Sequence, residues 1–184
     1  MLSLIKIDAD STPPQKISCQ GSICSLYALT AQGEKLVTKG KKSDLDAYYS
    51  GWTDPTTQLA SFNLACGTAC NYAYFVDYRT GQVSDSMYLV EDVNLAKRVV
   101  VLPNFTDNND QSLLVRPIFS CTKGTIVQRA FNPDVENGIS VIHFDKAGNL
   151  YIDYWSGPNN TEIKETIPID YQKIAKICAE SQPN

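Results

Sequence analysis

The sequence predicts a mainly β protein of the α+β kind, an antiparallel meandering sheet, sandwich or barrel with a short helix near residues 43–50 and a C-terminal helix near 171–180. Three observations carry this. Most apolar residues fall in short runs with strand length and aromatic or β-branched content. Three joints between such runs end in glycine, and only two stretches carry helix-start signals. The ten tyrosines among 184 residues favour sheet as well, because aromatic rings pack well on a half-buried pleat.

Taken in order, strands are expected at Leu2–Ile7, Cys24–Leu29, Leu59–Leu64, Tyr72–Tyr78, Met87–Val90, Val99–Leu102, Leu113–Ser120, Thr125–Phe131, Ile139–Phe144 and Leu150–Trp155. The segments Thr30-Ala31-Gln32-Gly33, Tyr78-Arg79-Thr80-Gly81 and Asp145-Lys146-Ala147-Gly148 read as hairpins whose last turn residue is left-handed, which glycine adopts without steric cost. Their spacing is unequal, so no strict repeat is present. Ser43-Asp44-Leu45-Asp46-Ala47-Tyr48-Tyr49 begins with a capping residue and an acidic turn and stops at Gly51, which predicts a short helix. Asp170 can cap a helix over Tyr171–Glu180, with Ile169 and Ile174 as a hydrophobic staple. Tyr171, Ile174, Ile177 and Cys178 then share one face, which turns Cys178 towards the sheet. Pro13-Pro14 and the segment Asn104 to Gln111 read as loops. The latter lacks the ligand alternation and glycine of an EF-hand, so calcium has no support there.

A chain of this length fits one domain over residues 1–184, and roughly 70% of its unfolded surface can be buried on folding. The net charge of −4 with scattered Lys and Arg leaves no footprint for a phosphate backbone, which speaks against nucleic acid. No apolar run approaches the roughly 20 residues of a membrane span. Met1-Leu2-Ser3-Leu4-Ile5-Lys6-Ile7 has no cleavage site after it and is no signal peptide. The six cysteines nevertheless suit an oxidising compartment, so the expectation is a periplasmic or secreted protein whose secretion signal preceded a non-native Met1.

Those cysteines are Cys19, Cys24, Cys66, Cys70, Cys121 and Cys178. Their spacings match zinc knuckles only in part and there is one histidine, so disulfides are preferred over metal and no cofactor is expected. Cys66 and Cys70 would lie about 13 Å apart in a straight strand. Both short pairs enclose a glycine, however, and a turn there can bring their Cα atoms into bridging range. Bridges 19–24 and 66–70 would leave Cys121 to pair with Cys178, one preference among 15 connectivities.

Leu64-Ala65-Cys66-Gly67-Thr68-Ala69-Cys70, followed by the Asp77-Tyr78-Arg79-Thr80-Gly81-Gln82-Val83 hairpin, resembles small uncharacterised envelope proteins and lipoproteins of Gram-negative bacteria. The resemblance spans residues 64–83. It implies a periplasmic address and a 66–70 disulfide, and it carries no activity, cofactor or catalytic residue.

The sharpest catalytic constellation is a papain-like cysteine hydrolase, with Cys66 or Cys70 as nucleophile, His143 as base and Asp153 to orient the imidazole. The order along the chain is right. But the residues after Cys70 read as strand, whereas such a thiolate is activated at a helix N-terminus. No G-x-S-x-G, P-loop, dinucleotide glycine set or H-E-x-x-H is present. Aromatic clusters are the alternative: Tyr48, Tyr49 and Trp52 in a helix-and-loop segment, and Tyr151, Tyr154 and Trp155 before the Ser156-Gly157-Pro158 turn. Tyr and Trp anchor recognition surfaces because they bury much area for few lost rotamers. The reading is therefore a disulfide-stabilised protein-binding module of inhibitor or immunity type, whose partner is a toxin or hydrolase. An envelope structural or assembly factor comes next, and the cysteine hydrolase last.

Overall fold

The computed structural model describes residues 13–47, 49–67, 70–105, 111–119, 121–129 and 139–180, and within these ranges leaves out the side chains of residues 44, 46–47, 49–50, 52, 65–67, 70, 105 and 111. The expected strand at Leu2–Ile7 and the 106–110 part of the expected loop lie outside the described residues. The chain divides into two compact units, Met1–Leu89 and Val90–Asn184. Each is mainly antiparallel β, and among the described residues no sheet closes into a barrel.

In the first unit, β1 (Gln15–Gln20), β2 (Ile23–Thr30) and β3 (Gly33–Lys41) form a three-stranded meander. Alternation in β2 turns Cys24, Leu26 and Ala28 inward at 0–1% exposure. Helix α1 (Lys42–Ala47) follows, held by Leu45 in the core. The second sheet contains β4 (Tyr49–Asp54), β5 (Leu59–Gly67), β6 (Cys70–Asp77) and β7 (Gln82–Val83), with β8 (Met87–Tyr88) also paired to β6. Between β7 and β8 the ladder is interrupted, and Ser84 fills the gap. Its N–H donates to the Phe75 carbonyl and its Oγ accepts from the Phe75 N–H, each at 2.9 Å. Phe62, Leu64 and Val76 of this sheet, with Tyr78 in the turn after β6, share one core with Leu26, Val37 and Leu45.

In the second unit, β9 (Asp92–Asn94), β10 (Val99–Phe105), β11 (Gln111–Pro117) and β12 (Thr125–Gln128) make one sheet. A second sheet contains β13 (Ile139–Phe144), β14 (Leu150–Ser156) and β15 (Thr161–Ile167), and α2 (Tyr171–Glu180) ends the described chain. Their common core joins Val99, Val101, Leu113, Val115 and Val127 to Leu150, Ile152, Tyr154 and Ile174. Asp92 on β9 accepts the Phe144 N–H at 2.6 Å, which satisfies an edge donor of β13.

The expected hairpins are present, with φ of +91° at Gly33, +69° at Gly81 and +90° at Gly148. The Asp77 carboxylate accepts the N–H groups of Arg79 and Thr80 at 2.9 and 3.1 Å, and Asp145 holds its own turn through Asn149. The C-terminal helix has the expected bounds. Asp170 caps it by accepting the Lys173 N–H at 2.9 Å, and Ile169 packs on the core that holds Ile174.

Other elements differ from expectation. The first helix stops at Ala47, and Tyr49 and Trp52 belong to β4, paired along β5, rather than to a helix end and loop. Aromatic and Thr residues in that stretch favour an extended backbone over another helical turn. β1, β3, β9 and β15 were not expected as strands. Polar and charged residues dilute their apolar signal, Lys, Glu and Thr in β3 and β15, Gln, Lys and Ser in β1, and Asp and Asn in the short β9, as is usual for strands with a solvated face or edge. The strand expected over Leu113–Ser120 stops at Pro117, and the one expected from Thr125 is described only to Gln128.

Candidate functional site

Two disulfides lie among the described side chains. Cys19 and Cys24 face each other directly across β1 and β2, with Cα atoms 4.0 Å apart around the Gly21 turn. Cys121 joins Cys178 at a Cα separation of 5.6 Å and ties α2 to the segment between β11 and β12. That segment can lie against β11 only because residue 124 is glycine, since a Cβ there would sit 2.0 Å from the Val115 carbonyl oxygen. The side chains of Cys66 and Cys70 lie outside the described residues. Their backbones flank the β5–β6 turn, where Gly67 pairs with Cys70.

The second unit presents the most chemically varied surface, built by strand alternation on β14. Leu150, Ile152 and Tyr154 point into the core, and Tyr151, Asp153 and Trp155 point to the opposite face. Tyr154, expected among the surface anchors, is thus 5% exposed and packs in the core. On the other face the register sets His143 beside Tyr151 and Val141 beside Asp153. On β15, Lys164 stands opposite Asp153 and Glu162 opposite Trp155. The His143 and Tyr151 rings meet with centroids 4.8 Å apart, and Val141 remains exposed.

The charges on this face form a short chain. Lys164 Nζ lies 2.9 Å from Glu162 and 3.4 Å from Asp153 Oδ2. Glu162 first, and then Asp153, raise the Lys164 ammonium above its ordinary value by bonding to its charged form. Asp153 is 8% exposed, and its Oδ1 is buried without a hydrogen-bond partner. The carboxylate therefore encloses one oxygen without a donor and turns the other to Lys164, between two aromatic residues of its own strand.

On the core side of the same sheet, the Arg129 guanidinium grips both oxygens of Glu165 with its Nε–Nη2 edge, at 2.5 Å from Nε and 3.1 Å from Nη2. Arg129 is the main cause holding the Glu165 carboxyl below its ordinary value, assisted by the Tyr154 hydroxyl. This pair clamps the end of β12 to β15.

No family model, curated protein or solved structure matches the chain. Its chemistry is therefore read from its own residues.

His143 and Asp153 share a face of the second unit, but the described partner of Asp153 is Lys164, while His143 contacts Tyr151. Cys66 and Cys70 belong to the first unit. Among the aromatic candidates, Trp155 lies on the face just described, Tyr49 and Trp52 are placed on β4 by backbone alone, and Tyr48 lies outside the described residues. Sequence reasoning overlooked Lys164 and Glu162. The signal was the alternation in Thr161-Glu162-Ile163-Lys164-Glu165-Thr166-Ile167, masked by its high charge. Among the described residues, no three His, Cys, Asp or Glu side chains converge as a metal site, and no helix is long and apolar enough to cross a membrane.

Proposed function

We propose that this chain is a periplasmic or secreted protein-binding module of inhibitor or immunity type, and that it engages its partner through the outward face of β13, β14 and β15. The observation that carries the reading is the grouping of Tyr151, Trp155 and His143 around a carboxylate that encloses one oxygen without a donor. Aromatic residues beside desolvated polar groups are the usual composition of an interface centre. The two described disulfides are compatible with an extracellular module, since such bridges persist in oxidising compartments. The partner class is a toxin or hydrolase whose surface the module occupies.

The test places a photo-crosslinking amino acid at Val141, which is exposed on the face, in cells that export the protein. One dominant crosslinked protein, lost with Trp155→Ala and recovered in its complex by co-purification, is the expected result. Crosslinks that are indifferent to Trp155→Ala, or no crosslink at Val141, would remove this face from the function.

A further inference from the structure

We propose that the Cys19–Cys24 bridge is a thiol-exchange site, entered at Cys19 by the thiolate of a small external thiol, with Cys24 as the leaving and resolving sulfur. Thiol–disulfide exchange is an in-line displacement, so the incoming sulfur approaches the attacked sulfur from the side remote from its bonded partner, and access on that side selects the sulfur attacked. Strand order decides which of the two cysteines offers it. β1 is the outer strand of the β1-β2-β3 sheet, and Cys19 on it is exposed. Beyond Cys19, away from Cys24, no further strand of this sheet follows among the described residues. Cys24 lies on the central strand at 0% exposure. Its far side is faced by Gly40 of β3, and the Leu45 side chain of α1 lies 3.9 Å from where a Cβ on Gly40 would stand. Cys24 and Leu45 belong to one core, so in-line attack is closed at Cys24 and open at Cys19.

The external thiolate forms a bond to Cys19 Sγ as the bond between Cys19 and Cys24 breaks. The electron pair leaves on Cys24, which takes up the proton that the external thiol gave up, so a mixed disulfide on Cys19 and a thiol on Cys24 result. The hairpin keeps the two residues together afterwards. They stand in register with Cα atoms 4.0 Å apart, Gly21 holds the turn at φ +62°, and the Lys42 N–H donates to the Ser22 carbonyl at 3.0 Å. None of these backbone contacts uses the bridge. Apolar burial disfavours a Cys24 thiolate, which makes it a poor leaving group and keeps the bridge as the resting state. From its place opposite Cys19, Cys24 returns to the mixed disulfide and expels the external thiol, an intramolecular step favoured by proximity. The site thus holds a thiol reversibly, and loss of Cys24 would make the adduct long-lived.

The test incubates the native full-length chain with reduced glutathione at about pH 8, where a thiol of pKa about 8.5 is partly ionised. Exchange is stopped in acidic denaturant with N-ethylmaleimide, and the peptides are mapped. Trypsin releases residues 17–35 as one peptide that contains both cysteines, so the two labels are read on the same molecule. Glutathione should be on Cys19 and the maleimide on Cys24. Oxidised glutathione should then load the Cys24→Ser variant on Cys19, and should react with Cys24 of the Cys19→Ser variant at least roughly tenfold more slowly, because that thiol is enclosed. Circular dichroism and melting establish that both variants are folded, and the wild-type map decides the matter without them. Glutathione on Cys24, equal reaction of the two variants, or a bridge that opens only in denaturant would overturn the proposal.

Discussion

Replacing Cys121 and Cys178 together by serine should reduce stability by about 4 kcal/mol, nearly all of it through the unfolded chain. The bridge spans a sequence separation of 57 residues, and in the chain-entropy model a loop of that length removes about 14 cal/mol/K from the denatured ensemble. The native side should change little. Ile174 is 2% exposed in the core, Asp170 caps the helix and the Tyr171 hydroxyl donates to the Gly148 carbonyl, so α2 has contacts of its own. The loss is large against the 5–15 kcal/mol of an ordinary domain. Urea unfolding followed by tryptophan fluorescence, with far-ultraviolet circular dichroism of the native state, measures both parts. The midpoint should fall, the slope should rise slightly as the uncrosslinked chain exposes more surface, and the helical signal should persist. A loss below about 1 kcal/mol would mean that the unfolded chain already keeps these segments together. Disappearance of the helical signal under native conditions would show that the bridge holds the helix, and the entropic account would fail.

Ile174→Ala should cost about 2–5 kcal/mol by leaving a cavity between α2 and the sheets, and a urea-measured loss below about 0.5 kcal/mol would contradict the packing. Gly124→Ala should destabilise more than an ordinary loop substitution, because its Cβ has no room beside the Val115 carbonyl. Near-wild-type thermal stability would show that the segment shifts freely. Glu165 has its folded pKa lowered chiefly by Arg129, so its contribution is complete above the unfolded-state value near 4.3 and is lost as pH falls through the lower folded value. The midpoint of wild-type urea unfolding should therefore fall with acid below about pH 4, and Glu165→Gln should flatten that decline. An equal decline in the variant would place the acid sensitivity elsewhere. The expectation of one domain predicts a single calorimetric transition whose van't Hoff and calorimetric enthalpies agree, and two resolved transitions would show the two units unfolding separately.

Residue types at particular positions were enough to specify much of the local architecture. Glycine at 33, 81 and 148 announced three left-handed turn residues, and Ile169-Asp170 announced the start of α2, because steric limits and capping act over a few neighbouring residues. The cysteine spacing also favoured the 19–24 and 121–178 bridges among many arrangements, the first by its enclosed glycine and the second by the face of α2. The candidate face was harder to read. Tyr154 and Trp155 are adjacent in sequence and looked equivalent, yet the pleat sends one to the core and the other outward. Only the pairing with β15 says which. Lys164 and Glu162 read as solvated charge until register set them beside Asp153 and Trp155. Composition and periodicity thus determined that this is a disulfide-bearing β protein with two capped or core-anchored helical segments. Tertiary structure decided which carboxylate among aromatic rings encloses an oxygen without a donor, because burial and hydrogen-bond partners arise between strands distant in sequence.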